Sequence, residues 1–124
     1  MFNEYGYQLE DGLNRISLWA DALTDSQLDD ISPEGCYTQR AALEVAAAIG
    51  GVAVDGLVAA RLRELVADGT ICYFEEAYFA VGTQEYDENS RHFGRWRQQL
   101  AELRDNTFAP ALGRNWCSYN RRRM

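Results

Sequence analysis

Apolar residues recur at helical spacing from the start of the chain. Leu9, Leu13, Ile16, Ala20 and Leu23 lie three or four residues apart with Asp and Asn between them, which predicts a helix over 9–23. Thr24-Asp25-Ser26-Gln27 has the form of a capping box: the Thr hydroxyl can accept from a free backbone N–H while Gln reaches back. A short second helix from Asp25 to Ile31 is therefore predicted, followed by a turn at Ser32-Pro33-Glu34-Gly35. An Ala-rich helix from Thr38 to Ile49 should stop at Gly50-Gly51, and another from about Val54 to Ala67 should stop at Asp68-Gly69. Two aromatic and β-branched runs, Thr70 to Phe74 and Ala77 to Val81, then flank Glu75-Glu76 and predict a short hairpin. Glu85 to Ser90 is polar enough for a linker. From Arg91 to Arg104 an amphipathic helix carries Phe93, Trp96, Leu100 and Leu103 as its apolar stripe. The tail from Asn106 holds Pro110, Gly113, Trp116, Tyr119 and Arg121-Arg122-Arg123. These elements group into acidic N-terminal helices (9–31), a core (38–82), a C-terminal helix (88–105) and an Arg/aromatic tail (106–124).

Composition narrows this to one folded domain over 1–124. With 124 residues, 47% hydrophobic and 12% aromatic, the chain can hide roughly two thirds of its unfolded surface in a core. Its longest apolar-looking stretch, Ala41 to Ala60, is interrupted by Glu44 and Asp55, so no membrane span is expected. Met1-Phe2-Asn3-Glu4 lacks the basic start and apolar run of a signal peptide, so a cytoplasmic setting is expected. Cys36, Cys72 and Cys117 form no C-x-x-C pair and are expected to be small, mostly buried hydrophobes. Charge is segregated: residues 1–90 hold 17 Asp/Glu against 4 Arg, residues 91–124 hold 8 Arg against 2 Asp/Glu, and there is no lysine. An acidic body with a basic end points to a polar interaction surface.

The order helix, turn, helix, Asp-Gly, hairpin occupies Leu43 to Val81, and is densest in the run RLRELVADGTI, Arg61 to Ile71. This stretch resembles the winged helix-turn-helix superfamily of bacterial regulators. The resemblance implies an α+β fold, mainly α: a winged-helix core made of a three-helix unit and a short β-hairpin, with an added amphipathic C-terminal helix and Arg-rich tail. Ala53, Val58, Leu62 and Leu65 would face the core, Gly69 would supply a left-handed turn, and Ile71 and Phe79 would cover the core's open end. In DNA-binding relatives the second helix enters the major groove and the hairpin touches the backbone. The outward positions here would be Val54, Asp55, Gly56, Leu57, Ala59, Ala60 and Arg61, of which only Arg61 is a common reader of base edges. The hairpin tip, Glu75-Glu76, would set carboxylates against phosphates. A protein partner suits this surface better: Val54, Leu57 and Ala60 are small or apolar, and Asp55, Glu75 and Glu76 would attract basic residues.

The arginines offer a second surface. Arg91, Arg95 and Arg97 interleave with Phe93 and Trp96, and Arg121, Arg122 and Arg123 lie close to Trp116 and Tyr119. Arginine beside aromatics suits phosphate pairing and cation–π stacking, and equally suits the solvated face of an amphipathic helix. Catalytic chemistry finds little footing. His92 is the only histidine, no Gly-rich phosphate loop is followed by Lys, and the carboxylate pairs Asp29-Asp30 and Glu75-Glu76 fall in segments expected at the surface. No catalytic residue, metal site or cofactor is expected. The expected function is therefore non-enzymatic: an acidic adaptor or inhibitor of the phage or mobile-element type, whose carboxylates imitate a phosphate backbone toward a basic nucleic-acid-binding protein. The alternative is a DNA-binding transcriptional regulator, a homodimer on duplex DNA. It would use Arg61 and Arg63 near the groove and Arg91, Arg95, Arg97, Arg121, Arg122 and Arg123 on phosphates.

Overall fold

The fold was obtained as a computed structural model that describes residues 5–16, 22–50 and 56–121, with side chains as far as residue 105. Five helices follow one another: α1 (Leu9–Leu13), α2 (Asp25–Asp30), α3 (Cys36–Ile49), α4 (Gly56–Tyr78) and α5 (Gln84–Arg121). Among the described residues there is no strand, so the architecture is all-α. α3, α4 and α5 pack as three consecutive antiparallel helices, with α1 against α4 and α2 against the start of α3.

The element that overturns the winged-helix expectation is α4. The predicted hairpin from Thr70 to Val81 is instead the second half of this 23-residue helix and the turn after it. The residues from Leu65 to Glu75 are buried on every side apart from Asp68, because α3, α5 and α1 surround them. A helix enclosed in this way needs no polar face. Its apolar run is then continuous, and periodicity cannot separate it from a buried strand. Thr70, which is β-branched and mid-helix, satisfies its hydroxyl by donating to the Val66 carbonyl one turn back, at 2.6 Å.

Gly69 does not make the left-handed turn expected of it. It sits mid-helix and buried, and a Cβ there would overlap the Trp96 ring. The missing side chain lets the indole of α5 lie against the backbone of α4, where its Nε1–H donates to the Leu65 carbonyl at 2.8 Å. Asp-Gly thus marks a close helix–helix approach rather than a stop. The real end of α4 comes at Tyr78, and Gly82, at φ +95, turns the chain into α5.

The first expected helix, 9–23, ends already at Leu13, with residues 17–21 outside the described residues; the remaining elements follow their sequence signals more closely. At α2 the capping box forms as expected: Thr24 Oγ1 accepts from the Gln27 N–H at 3.1 Å and Gln27 Oε1 accepts from the Thr24 N–H at 2.9 Å. In α3, Ala41, Ala42, Val45 and Ile49 form the buried stripe, and the helix starts at Cys36 rather than Thr38. Leu62 and Leu65 face the core as expected and Val58 packs against it, while Ala53 lies outside the described residues. Phe93, Trp96 and Leu100 are buried along α5, with Leu103 partly so. The helix itself is longer than expected. Residues 85–90, read as a linker, are its first turns, begun where the Tyr86 N–H donates to Thr83 Oγ1 at 3.1 Å and Glu85 and Asp87 sit near the positive end of the dipole. At the other end the helix continues through the expected tail to Arg121.

A second cluster closes the core. Leu23, Ile31, Ile71 and Phe74 are buried together, and the Tyr7 hydroxyl donates to the Ile31 carbonyl at 2.6 Å. Through this cluster α2 and the start of α3 are fastened beside the end of α4. The C-terminus of α4, the N-terminus of α5, the N-terminus of α3 and α2 therefore share one end of the bundle.

Candidate functional site

That shared end has an unusual charge content. The segments 24–37 and 74–88 together hold nine carboxylates (Asp25, Asp29, Asp30, Glu34, Glu75, Glu76, Glu85, Asp87 and Glu88) and no arginine or lysine. Most of these side chains are exposed, Glu75 being buried. Between them lies an aromatic chain: Tyr37 meets Phe74 edge-on at 6.0 Å, Phe74 stacks on Tyr78 at 5.6 Å, and Tyr78 meets Phe79 at 5.3 Å. Tyr78 is 43% exposed and Val81 81%, so apolar surface reaches solvent inside the acidic rim. Glu76 stands in the last turn of α4, where the helix dipole is negative and no basic residue offsets it.

Elsewhere several charges are matched in pairs. Arg63 forms a two-pronged pair with Asp11, at 2.7 and 3.1 Å, which holds the Asp11 carboxyl below its usual range. Arg15 pairs with Asp68 at 2.6 Å and Arg61 with Glu64 at 3.6 Å, all on α1 and the first part of α4 or just beyond α1. Arg40 stacks over Tyr73 at 4.5 Å and Arg97 over Phe93 at 4.1 Å. The second of these is the cation–π pairing that arginine interleaved with aromatics suggested, formed here within one helix.

The residues expected to form one protein-binding surface are dispersed. Val54 and Asp55 lie outside the described residues. Leu57 and Ala60 are exposed on the first turns of α4, at the opposite end of that helix from Glu75 and Glu76. Glu75 and Glu76 are not a hairpin tip, and they do not act as a pair. Successive helix positions point about 100° apart, so Glu75 is 4% exposed while Glu76 faces solvent. The arginines expected on DNA separate too. On α4, Arg61 is engaged by Glu64 of the same helix and Arg63 by Asp11 of α1. Arg91, Arg95 and Arg97 are exposed around α5, Arg121 is its last residue with no side chain described, and Arg122 and Arg123 lie outside the described residues.

Sequence reasoning missed a polar cleft of about 290 Å³ beside the α4–α5 seam, lined by Asp68, Glu75, Asn89, His92 and Arg95 with Trp96 behind them. Its signal was present as two helical spacings, Asp68/Cys72/Glu75 and Asn89/His92/Trp96/Gln99, legible once both stretches are read as helix. Cys72 also borders it. Burial first, then the negative charges of Asp68 and Glu75, push this thiol up to about 12, so it stays protonated and is no nucleophile at neutral pH. Cys36, expected to be buried, is exposed at the start of α3. Its thiol is also raised, by desolvation and then by Asp30.

Among the described residues no helix is long and apolar enough to cross a membrane, and no group of three or more His, Cys, Asp or Glu is placed to hold a metal ion. Comparison of the chain with protein-family models, with curated proteins and with solved structures finds no match in any of the three.

Proposed function

We propose that this protein is a non-catalytic binding protein whose acidic bundle end engages a basic protein surface, of the kind that otherwise binds nucleic acid. The observation that carries this is the separation of charge: nine carboxylates without one cation in the segments that form that end, around exposed Tyr78 and Val81. Gathering like charge is unfavourable for the folded chain alone. An arginine-rich partner would offset that repulsion, and the apolar centre would supply the contact area that charges at a rim do not. The distal arginines of α5 are badly placed for the task. α5 begins at the acidic end and runs 38 residues away from it, which carries Arg121 about 55 Å off at 1.5 Å per residue. The alternative of a regulator on duplex DNA took its geometry from a winged helix, and the hairpin wing of that fold is replaced by helix among the described residues.

The test measures binding to protamine, an arginine-rich DNA-binding protein, at low and high salt. Two triple variants with equal loss of charge are compared with the parent: Glu76→Gln/Glu85→Gln/Asp87→Asn at the acidic end, and Glu44→Gln/Glu64→Gln/Glu102→Gln elsewhere. The first should weaken binding by about tenfold or more and flatten its salt dependence, while the second changes it by about twofold or less. Equal effects from the two triples would show that net charge matters and location does not, and the proposal would fall. Displacement of duplex DNA from protamine by the parent chain checks the phosphate-imitating form of the same reading.

A further inference from the structure

The far part of α5 has no helix opposite it among the described residues. The Asn89 side-chain amide donates to the Cys72 carbonyl at 3.0 Å, and the Trp96 indole donates to the Leu65 carbonyl at 2.8 Å. Both contacts lie seven residues apart on each helix, so α4 and α5 run antiparallel in step. In that register Gly56, the first residue of α4, comes level with Asp105. α3 ends near the same level, since its Ala47 and Ala48 share a groove with Leu100, Ala101 and Arg104. Residues 106–121 therefore carry α5 about 24 Å past the bundle, at 1.5 Å per residue.

The sequence of this extension is not that of a helix meant to stand alone in water. Phe108, Leu112, Trp116 and Tyr119 recur at spacings of four, four and three, which places them along one face. A stripe of that kind is normally covered by packing. Residues 106–124 also hold Arg114, Arg121, Arg122 and Arg123, with no Asp or Glu. The acidic end of the bundle has the opposite content. Glu76, Glu85, Asp87 and Glu88 are exposed there and form no ion pair among the described residues, with exposed Tyr78 and Val81 beside them. α5 starts at that end and leads away from it, so the extension cannot reach the acidic end of its own chain. The two surfaces complement each other in charge and in apolar area, but only between copies.

We infer that the extension of α5 docks on the acidic end of a second copy of this chain, a step that rests on the reading of that end proposed above. The arginines supply the charge that the rim lacks, and the aromatic stripe supplies apolar area to match Tyr78 and Val81. The contact joins unlike surfaces, so two copies can close it by exchanging extensions, or many can repeat it in a row.

Sedimentation velocity of the full chain over a range of concentrations tests this, with reductant present to keep the cysteines from cross-linking. The parent should assemble as concentration rises and dissociate in high salt. Two variants each remove one surface: Arg114→Gln/Arg121→Gln/Arg122→Gln/Arg123→Gln in the extension, and Glu76→Gln/Glu85→Gln/Asp87→Asn at the acidic end. Each alone should self-associate about tenfold more weakly or worse, whereas their mixture should form a mixed pair, because each keeps the surface that the other lacks. A parent that stays monomeric at every concentration, an extension variant that assembles as the parent does, or a mixture that associates no better than its components would each overturn the inference. Protamine separates this from the reading beneath it, since the extension variant keeps the acidic end and should bind protamine at least as tightly as the parent. Protamine binding through the acidic end by a chain that does not self-associate would overturn the inference alone. Protamine binding indifferent to the acidic end would overturn both.

Discussion

Around Gly69, α4 and α5 approach until an indole ring occupies the space of a missing side chain, and Asp68 beside it is paired with Arg15. Around Tyr78 and Val81, where a short turn joins the same two helices, apolar groups face water and carboxylates gather with no cation in their segments. Both regions belong to one seam and lie only about two turns apart. The first is arranged as folding stability requires. The second departs from it in charge and in exposure together, and such a joint departure is what a surface for another molecule looks like.

Substitutions should therefore divide into those that cost stability and those that cost binding. The largest stability loss is expected from Trp96→Ala, about 3–5 kcal/mol, because it empties the seam and leaves the Leu65 carbonyl without its second donor; denaturant melts measure it. Gly69→Val should cost about 1–3 kcal/mol by forcing the indole away. A loss near zero there would mean that the close approach is not a feature of the folded chain.

Tyr7→Phe should cost about 1–3 kcal/mol, since the Ile31 carbonyl loses a buried donor. It also carries a pH signature. Burial raises the Tyr7 phenol above its ordinary value, so the folded state holds this proton more tightly than the unfolded state does. Its contribution is complete below about pH 10 and declines as the pH rises beyond that. The parent should lose stability in alkali more steeply than Tyr7→Phe, and parallel alkaline melts of the two would contradict the assignment.

At the matched surface the effects shrink. Arg63→Ala should lower stability only slightly, as loss of an exposed pair does. Because Arg63 holds the Asp11 carboxyl below its ordinary value, this contribution is present above about pH 4 and is lost as the pH falls through the lowered value in the fold. Smallest of all should be Glu76→Gln, within about 0.5 kcal/mol and of either sign, because removing one of many like charges relieves repulsion. A loss of about 2 kcal/mol at Glu76 would erase the contrast between the two regions by making the acidic end a structural element.

Much of this molecule was legible in the sequence where residues act through local rules. The Thr24–Gln27 capping box, the stripe of α3 and the Phe93/Trp96/Leu100 stripe of α5 each depend on neighbours three or four positions away, and each forms. The second half of α4 was not legible. Thr70 to Phe74 has the composition of a strand, and only enclosure by three other helices makes it a helix. Gly69 misled for a related reason, since a glycine that ends a helix and one that admits a neighbour's ring look alike until the neighbour is in place. The same error hid the candidate sites: with α4 cut at Asp68, Glu75 and Glu76 became a surface pair and the cleft had no second wall. The acidity of the chain was plain from composition, but its collection at one end depended on the fold.

The long α5 gives this separation a kinetic meaning. A rod with carboxylates at its origin and arginines toward its far terminus behaves as a large electric dipole, and a dipole turns in the field of a charged body before touching it. Encounters with a basic partner would begin already oriented, acidic end first, so the feature would show in the rate of association and its fall with ionic strength more than in how long the complex lasts.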